Sequence, residues 1–144
     1  MRFSITDNLP ATQKQFKQLQ RRFSVNKRPA MSAAVLQART IITQRTARGV
    51  DVDGAPFKPY TKTYAAFRRS RGRSTTPDLM FTGRMLASMK AKADKNKGVL
   101  FFSRSEEARK AAFNNRTRRF FDLSKDELRR IQKVYFRRLT RERP

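Results

Sequence analysis

GVDVDGAPFKPYTKTYAAFRRSRGRSTTPDLMFTGRMLASM (49–89) is the stretch on which the reading of the whole chain turns. It sets about 40 residues with little regular periodicity in the middle of a chain of 144. A structureless run of that length inside a compact domain is uncommon unless it binds something or is ordered by a partner. Turn-forming pairs punctuate it: Asp53-Gly54, Ala55-Pro56, Lys58-Pro59, Thr76-Pro77 and Thr82-Gly83, with Gly72 between them. Phe57, Tyr60, Tyr64, Phe67 and Phe81 stand among these turns, and a merely solvated linker has no need of them. The expectation is a long extended arm, 49–82, that docks through Asp53, Gly54, Phe57, Pro59, Tyr60, Tyr64, Phe67, Leu79 and Phe81.

The length suits one domain with a modest core, and 38% apolar residues argue against full disorder. Lys and Arg number 35 against 11 Asp and Glu, a formal charge of +24. Such a surplus repels itself unless a polyanion or an assembly neighbour offsets it, so nucleic acid is the first partner to consider. Cysteine and histidine are absent. Their absence excludes disulfides, thiolate nucleophiles, Cys/His metal cages and imidazole acid–base catalysis. MRFSITDNLP carries no apolar run like a signal peptide, and no stretch reaches the roughly 18 apolar residues of a membrane span. A protein that keeps away from membranes and stays where it is translated is expected.

Working outward toward the N-terminus, 30–48 reads as the clearest helix. Met31, Ala34, Val35, Ala38, Ile41 and Ile42 fall on one stripe, and Gly49 is placed as its C′ residue. Leu36 lies off the stripe and reads as a single exposed leucine. Before it, 24–29 breaks helical periodicity at Pro29. Phe16, Leu19 and Phe23 mark an amphipathic helix over 10–23, and Phe3 and Ile5 a short strand ahead of Asp7, a helix cap.

Toward the C-terminus, Thr82 caps a short helix through Ser88. Met89, Ala91 and Ala93 then alternate with Lys90 and Lys92, Asp94 to Gly98 make a turn, and 99–102 returns as an apolar strand, giving a β-hairpin. A helix over 105–113 begins with Glu106 and Glu107, which suit the helix dipole, and is interrupted by Asn114-Asn115 and the basic run 116–119. Ser124 and Glu127 form a capping box for a last helix. The expected fold is α+β: long amphipathic helices packed on a small antiparallel β-sheet, with the extended arm between. Its one domain, 1–144, divides into 1–29, 30–48, 49–82, 83–103 and 104–144.

The last helix sorts its residues sharply. Leu128, Ile131, Tyr135 and Leu139 share one face, and Arg130, Lys133, Arg137 and Arg141 the opposite one. Seven Lys or Arg against one Glu over 129–143 leave too few acids for pairing within the helix. With Arg116 and Arg118, these four are the candidate phosphate contacts, since the arginine fork suits phosphate oxygens, though it suits a neighbour's carboxylates as well. Catalytic signals are thin. Asp51 and Asp53 lack the further oxygens and distal Glu of a calcium loop and read as a turn. No Gly-rich loop precedes a helix, and no catalytic, cofactor or metal residue is expected.

Taken together, these segments resemble the virion-morphogenesis family of tailed bacteriophages, the tail-completion and neck proteins. The family's Asp-Gly segment followed by an aromatic-x-Pro is matched by Asp53, Gly54, Phe57 and Pro59, with two residues between Gly54 and Phe57. Its segment of Leu, Thr-Gly, Leu and Ser is matched in order by Leu79, Thr82, Gly83, Leu86 and Ser88, and its ending of Arg, Phe, Leu-Ser and an acid by Arg119, Phe121, Ser124 and Glu127. The last serine of the first and the Leu-Ser of the second each stand one residue closer than in the family pattern. The resemblance spans roughly 30–140. The chain departs from the pattern in lacking a His-x-x-Gly stretch near Phe113-Asn114 and in having Asp122 where members often have Gly. The resemblance implies a non-enzymatic structural virion protein, a subunit of a homo-oligomeric neck ring between the DNA-filled head and the tail. Its partners would be connector and tail proteins and double-stranded DNA contacted without sequence preference, and its arm would order against neighbouring subunits as the ring closes. A free basic nucleic-acid-binding protein explains the charge equally well but not the order of the motifs.

Overall fold

The computed structural model describes residues 2–6 and 26–141. The first strand, β1 (Arg2–Thr6), lies where the Phe3/Ile5 alternation placed it. The helix expected over 10–23, and its cap Asp7, fall outside the described residues. Helix α1 spans Lys27–Ala47. It starts earlier than expected because Pro29 stands in the first turn, where its missing amide would have no intrahelical partner anyway. Of the stripe, Met31, Ala34, Val35, Ala38 and Ile42 are buried and Ile41 is half-buried; Ala30 is buried beside them, and Leu36 is half exposed.

Gly49 closes α1 in a left-handed conformation, φ +70°. Its amide donates to the Thr46 carbonyl at 2.9 Å and that of Val50 to the Arg45 carbonyl at 3.3 Å, the two bonds of a Schellman motif.

The sheet is antiparallel, in the order β1-β3-β2, with β2 at Met89–Ala93 and β3 at Lys97–Phe102. Met89 pairs with Phe102, Ala91 with Leu100 and Ala93 with Gly98, while Phe3 pairs with Leu100 on the other side. Lys90 and Lys92 are exposed, as the alternation requires. Asp94 makes the turn by accepting the amides of Asn96 and Lys97 at 2.7 and 2.8 Å, and these bonds hold its carboxyl below the ordinary aspartate range. Gly98 belongs to the strand, not the turn. A Cβ there would sit 1.9 Å from Val35 Cγ2, so β3 can cross α1 this closely only without a side chain.

The third correction concerns 49–82, which is no extended arm. Val50 bridges Pro56, Asp51 Oδ1 accepts the amides of Asp53 and Ala55, and Val52 and Phe57 are buried. A second helix, α2 (Lys62–Ser70), follows, its Tyr64 amide capped by Thr61 Oγ1 at 3.3 Å. Gly72 at φ +64° ends α2 in a second Schellman motif, with Gly72 N donating to Arg69 and Arg73 N to Arg68.

After the single-turn helix α3 (Arg84–Ala87), with Gly83 at its N-cap position and the Thr82 hydroxyl accepting the Arg84 amide at 3.4 Å, come the hairpin and then α4 (Ser105–Thr117). Helix α4 runs through Asn114-Asn115 instead of breaking there. Asn114 donates back to the Lys110 carbonyl at 2.9 Å within the helix, and the Asn115 side chain accepts the Phe121 amide at 2.9 Å, which fastens the following loop.

Helix α5 spans Lys125–Leu139 and opens with the predicted capping box: Ser124 Oγ accepts the Glu127 amide and Glu127 accepts the Ser124 amide. It packs along α1, which lies between α5 and the sheet. Phe120 and Phe121 pack with Phe102 at the end of β3, ring centroids 6.5 and 5.1 Å away.

At the centre of this packing lies a charge that the hydrophobic pattern does not announce. Arg45 is only 4% exposed. Its Nη1 binds both carboxylate oxygens of Glu127, and its Nη2 donates to the carbonyls of Phe120 and Asp122, each at 2.8 Å. Burying a guanidinium costs several kcal/mol unless its donors are satisfied, and four acceptors here do most of that.

Two expectations follow. Glu127→Ala, which strands Arg45 and removes half the capping box, destabilises by about 3–5 kcal/mol, whereas Ser124→Ala, which removes only the other half, costs about 1 kcal/mol. Urea unfolding separates the two, and equal losses would contradict the buried pair. Gly98→Ala costs about 1–3 kcal/mol by overpacking, and Val35→Ala in the same chain recovers part of that. A simple sum of the two single losses would contradict the close approach.

Candidate functional site

Two surfaces hold the sequence-derived candidates. The first is the outer face of α5. With Ile131, Tyr135 and Leu139 buried, helical geometry turns Arg130, Lys133 and Arg137 outward; Arg141, expected on the same helix face, lies beyond the end of the helix, and all four are exposed. Among the described residues no carboxylate pairs with any of them, while Arg129 is engaged by Asp126 at 3.0 Å. From Arg130 to Arg137 the helix rises about 10 Å, enough to follow several phosphates of one strand. Arg116 is exposed on a different element, in the last turn of α4.

Arg118 is placed differently. Its Nε donates to the Lys58 carbonyl at 3.0 Å and its guanidinium lies 5.2 Å from the Tyr60 ring, so it latches the 58–60 segment to the end of α4. The neighbouring Arg119 does similar work, binding Asp53 at 2.8 Å and Asp122 at 3.1 Å while its carbonyl accepts the Val52 amide. Part of the basic run is thus spent on holding the chain's own loops.

The second surface is built from the supposed arm. Arg68, 1% exposed, is its pivot. Its Nε donates to the Ser74 carbonyl at 2.6 Å and its Nη2 to Asp78 Oδ1 at 3.0 Å. The rings of Tyr60, Phe81 and Tyr64 surround the guanidinium at 4.9, 5.7 and 6.0 Å. Asp78 also accepts the Met80 amide, and the Tyr60 hydroxyl accepts the Leu79 amide at 3.2 Å. Burial pushes the Tyr60 phenol up from its ordinary pKa, against the pull of that backbone bond. Between the two bonds Leu79 is held at φ +56°, a left-handed conformation that costs a leucine of the order of 1 kcal/mol or more.

Between this cluster and α4 opens a cleft of about 650 Å³, walled by Pro59, Tyr64, Met85 and Phe113 and floored by the buried Glu107. Of the nine arm candidates, Pro59, Tyr60, Tyr64, Leu79 and Phe81 line this cleft. Phe67 stacks on Phe81 at 5.6 Å. Phe57 belongs instead to the core, and Asp53 and Gly54 to an exposed turn.

No family model, curated protein or solved structure matches this chain. The geometry therefore stands by itself. Among the described residues no three acidic side chains gather to hold a metal ion, and no helix is long and apolar enough to cross a membrane.

Sequence reasoning missed Arg45 and Arg68, the two buried arginines among the described residues. For Arg68 a signal existed: Tyr60, Tyr64, Phe67 and Arg68 recur at spacings of four, three and one behind a capping Thr61, a helical pattern. Nothing in the sequence marks Arg45 among so many cations.

Arg68→Ala removes the pivot and leaves Asp78 unpaired. Hydrogen exchange over 58–81 is expected to quicken at least tenfold, while α1 and β3 keep their protection, because the cluster opens as a local unit. Unchanged exchange there would show that the rings hold without the arginine.

Proposed function

We propose that the protein is a structural component of a tailed-phage particle: one subunit of a neck or tail-completion ring that joins the DNA-filled head to the tail and contacts the DNA path. It works by stoichiometric assembly, with no turnover. The observation that carries this reading is α5, which buries one face against α1 and turns Arg130, Lys133 and Arg137 toward solvent, with the exposed Arg141 just past its end, none of them with an acidic partner among the described residues. A stripe of that kind suits contact with phosphate irrespective of base sequence.

The order of the three short segments, from Asp53-Gly54 through Thr82-Gly83 to Arg119 and Ser124, favours a neck protein over a free nucleic-acid-binding protein, which the charge of +24 would serve equally well. In this reading the partners are further copies of the chain, connector and tail proteins, and double-stranded DNA. The place is the virion neck, after assembly in the host cytoplasm. Because 49–82 is folded on its own core, the part of it available to a neighbouring subunit narrows to exposed residues outside the cleft, such as Asp53, Gly54 and Phe67.

Replacing Arg130, Lys133, Arg137 and Arg141 together by Gln is expected to flatten the slope of log K against log salt for duplex DNA by about 3 to 4, at about 0.9 per lost phosphate contact. Duplexes of unrelated sequence behave alike. An unmoved slope would remove α5 from the DNA contact. Sedimentation at high salt tests the ring separately: oligomers persist there if an apolar interface holds them, and a monomer at every salt would leave the free nucleic-acid-binding reading.

A further inference from the structure

The cleft beside Arg68 is not needed for DNA contact by α5, and its chemistry points elsewhere. We propose that it docks a short acidic segment of another protein, anchored by one apolar side chain. The cleft stands apart from the α5 face, and the proposal holds whether or not the virion reading does.

Charge complementarity names the occupant. Lys58, Arg84 and Lys110 are exposed at the rim, and the acid lining the cleft, Glu107, is buried at its floor and already bound by Lys110 at 3.2 Å. An acidic chain meets Lys58 and Arg84, which no acid engages among the described residues, beside a Lys110 shared with Glu107, and no exposed carboxylate. A second copy of this chain, with its charge of +24, meets like charge. The apolar anchor is called for by Phe113, 71% exposed on the cleft wall, the most exposed large apolar side chain among the described residues. Leu79 adds backbone strain on the opposite wall, held there by Asp78 and the Tyr60 hydroxyl, and strain of this kind gathers at ligand clamps.

Single-stranded nucleic acid is the competing occupant of an aromatic, basic cleft, and the ring geometry disfavours it. Base stacking needs free ring faces. Here Tyr60 meets Tyr64 edge-on at 4.9 Å, Tyr64 stacks on Phe67 and Phe67 on Phe81, and Arg68 and Arg118 lie over the Tyr60 ring. These rings are spent on each other, and Phe113, which stands outside the stack, offers a single ring where a run of bases needs several.

The test uses the full chain and a pair of labelled peptides, one of Asp and Glu around a single Phe and one with Ser in place of that Phe, followed by fluorescence anisotropy. The Phe peptide is expected to bind about tenfold more tightly. Phe113→Ser abolishes that preference without weakening the Ser peptide, Arg84→Glu weakens both, and the Gln variants of α5 keep the preference. Thermal melts matching the wild type confirm that each variant folds. Equal binding of the two peptides to the wild type, or a preference that survives Phe113→Ser, overturns the proposal. So does displacement of the Phe peptide by oligothymidine whose own binding falls with Phe113→Ser, which assigns the cleft to nucleic acid.

Discussion

The bond between Arg45 and Glu127 fixes more of this structure than any other single contact. Arg45 stands near the end of α1, Glu127 in the first turn of α5, and the carbonyls of Phe120 and Asp122 in the loop that delivers α5. One guanidinium therefore sets where the central helix, the loop and the last helix meet. Glu127 serves twice, closing the capping box as well, so the start of α5 and its docking on α1 are one event. The same loop binds Val52 and Asp53, which extends the constraint to the segment after α1. A chain with so much excess positive charge uses some of its few acids where they hold elements together: Glu127, Asp78 and Asp122 each bind an arginine.

The pattern of the fold was legible wherever it depends on periodicity or local hydrogen bonding. The stripe of α1, the alternation of β2, the Gly49 ending and the Ser124/Glu127 box all report near-neighbour geometry, and each lies where the sequence puts it. The middle was misread because its order comes from contacts far apart in sequence. Tyr60 is held by Leu79 and Arg118, and Val52 by Arg119, none of which a local pattern can reveal. Proline and glycine there mark real turns, but turns that fold the segment back on its own core. The extended β1-to-β3 pairing escaped notice for the same reason: Phe3 and Leu100 meet across almost the whole chain.

The two surfaces divide the molecule's chemistry. On α5 the cations stand free because one helix face is committed to the core and the acids are used elsewhere. That face was legible from the sequence, since it follows from the 3.6-residue period alone. The cleft was half legible: its aromatic residues were singled out, while their arrangement around a buried arginine, and the floor and wall supplied by Glu107 and Phe113, depended on the fold. Basic and aromatic residues together suggest base stacking in a sequence. Once the rings are seen to pack on one another, the same residues describe a rigid wall.

The central claim, that this chain joins head to tail in a phage particle, is tested most directly by electron microscopy of lysates from a phage carrying an early stop codon in its gene. The account predicts DNA-filled heads alongside separate, complete tails, with joining restored when the protein is supplied in trans. Intact, infectious particles made without it would contradict the account.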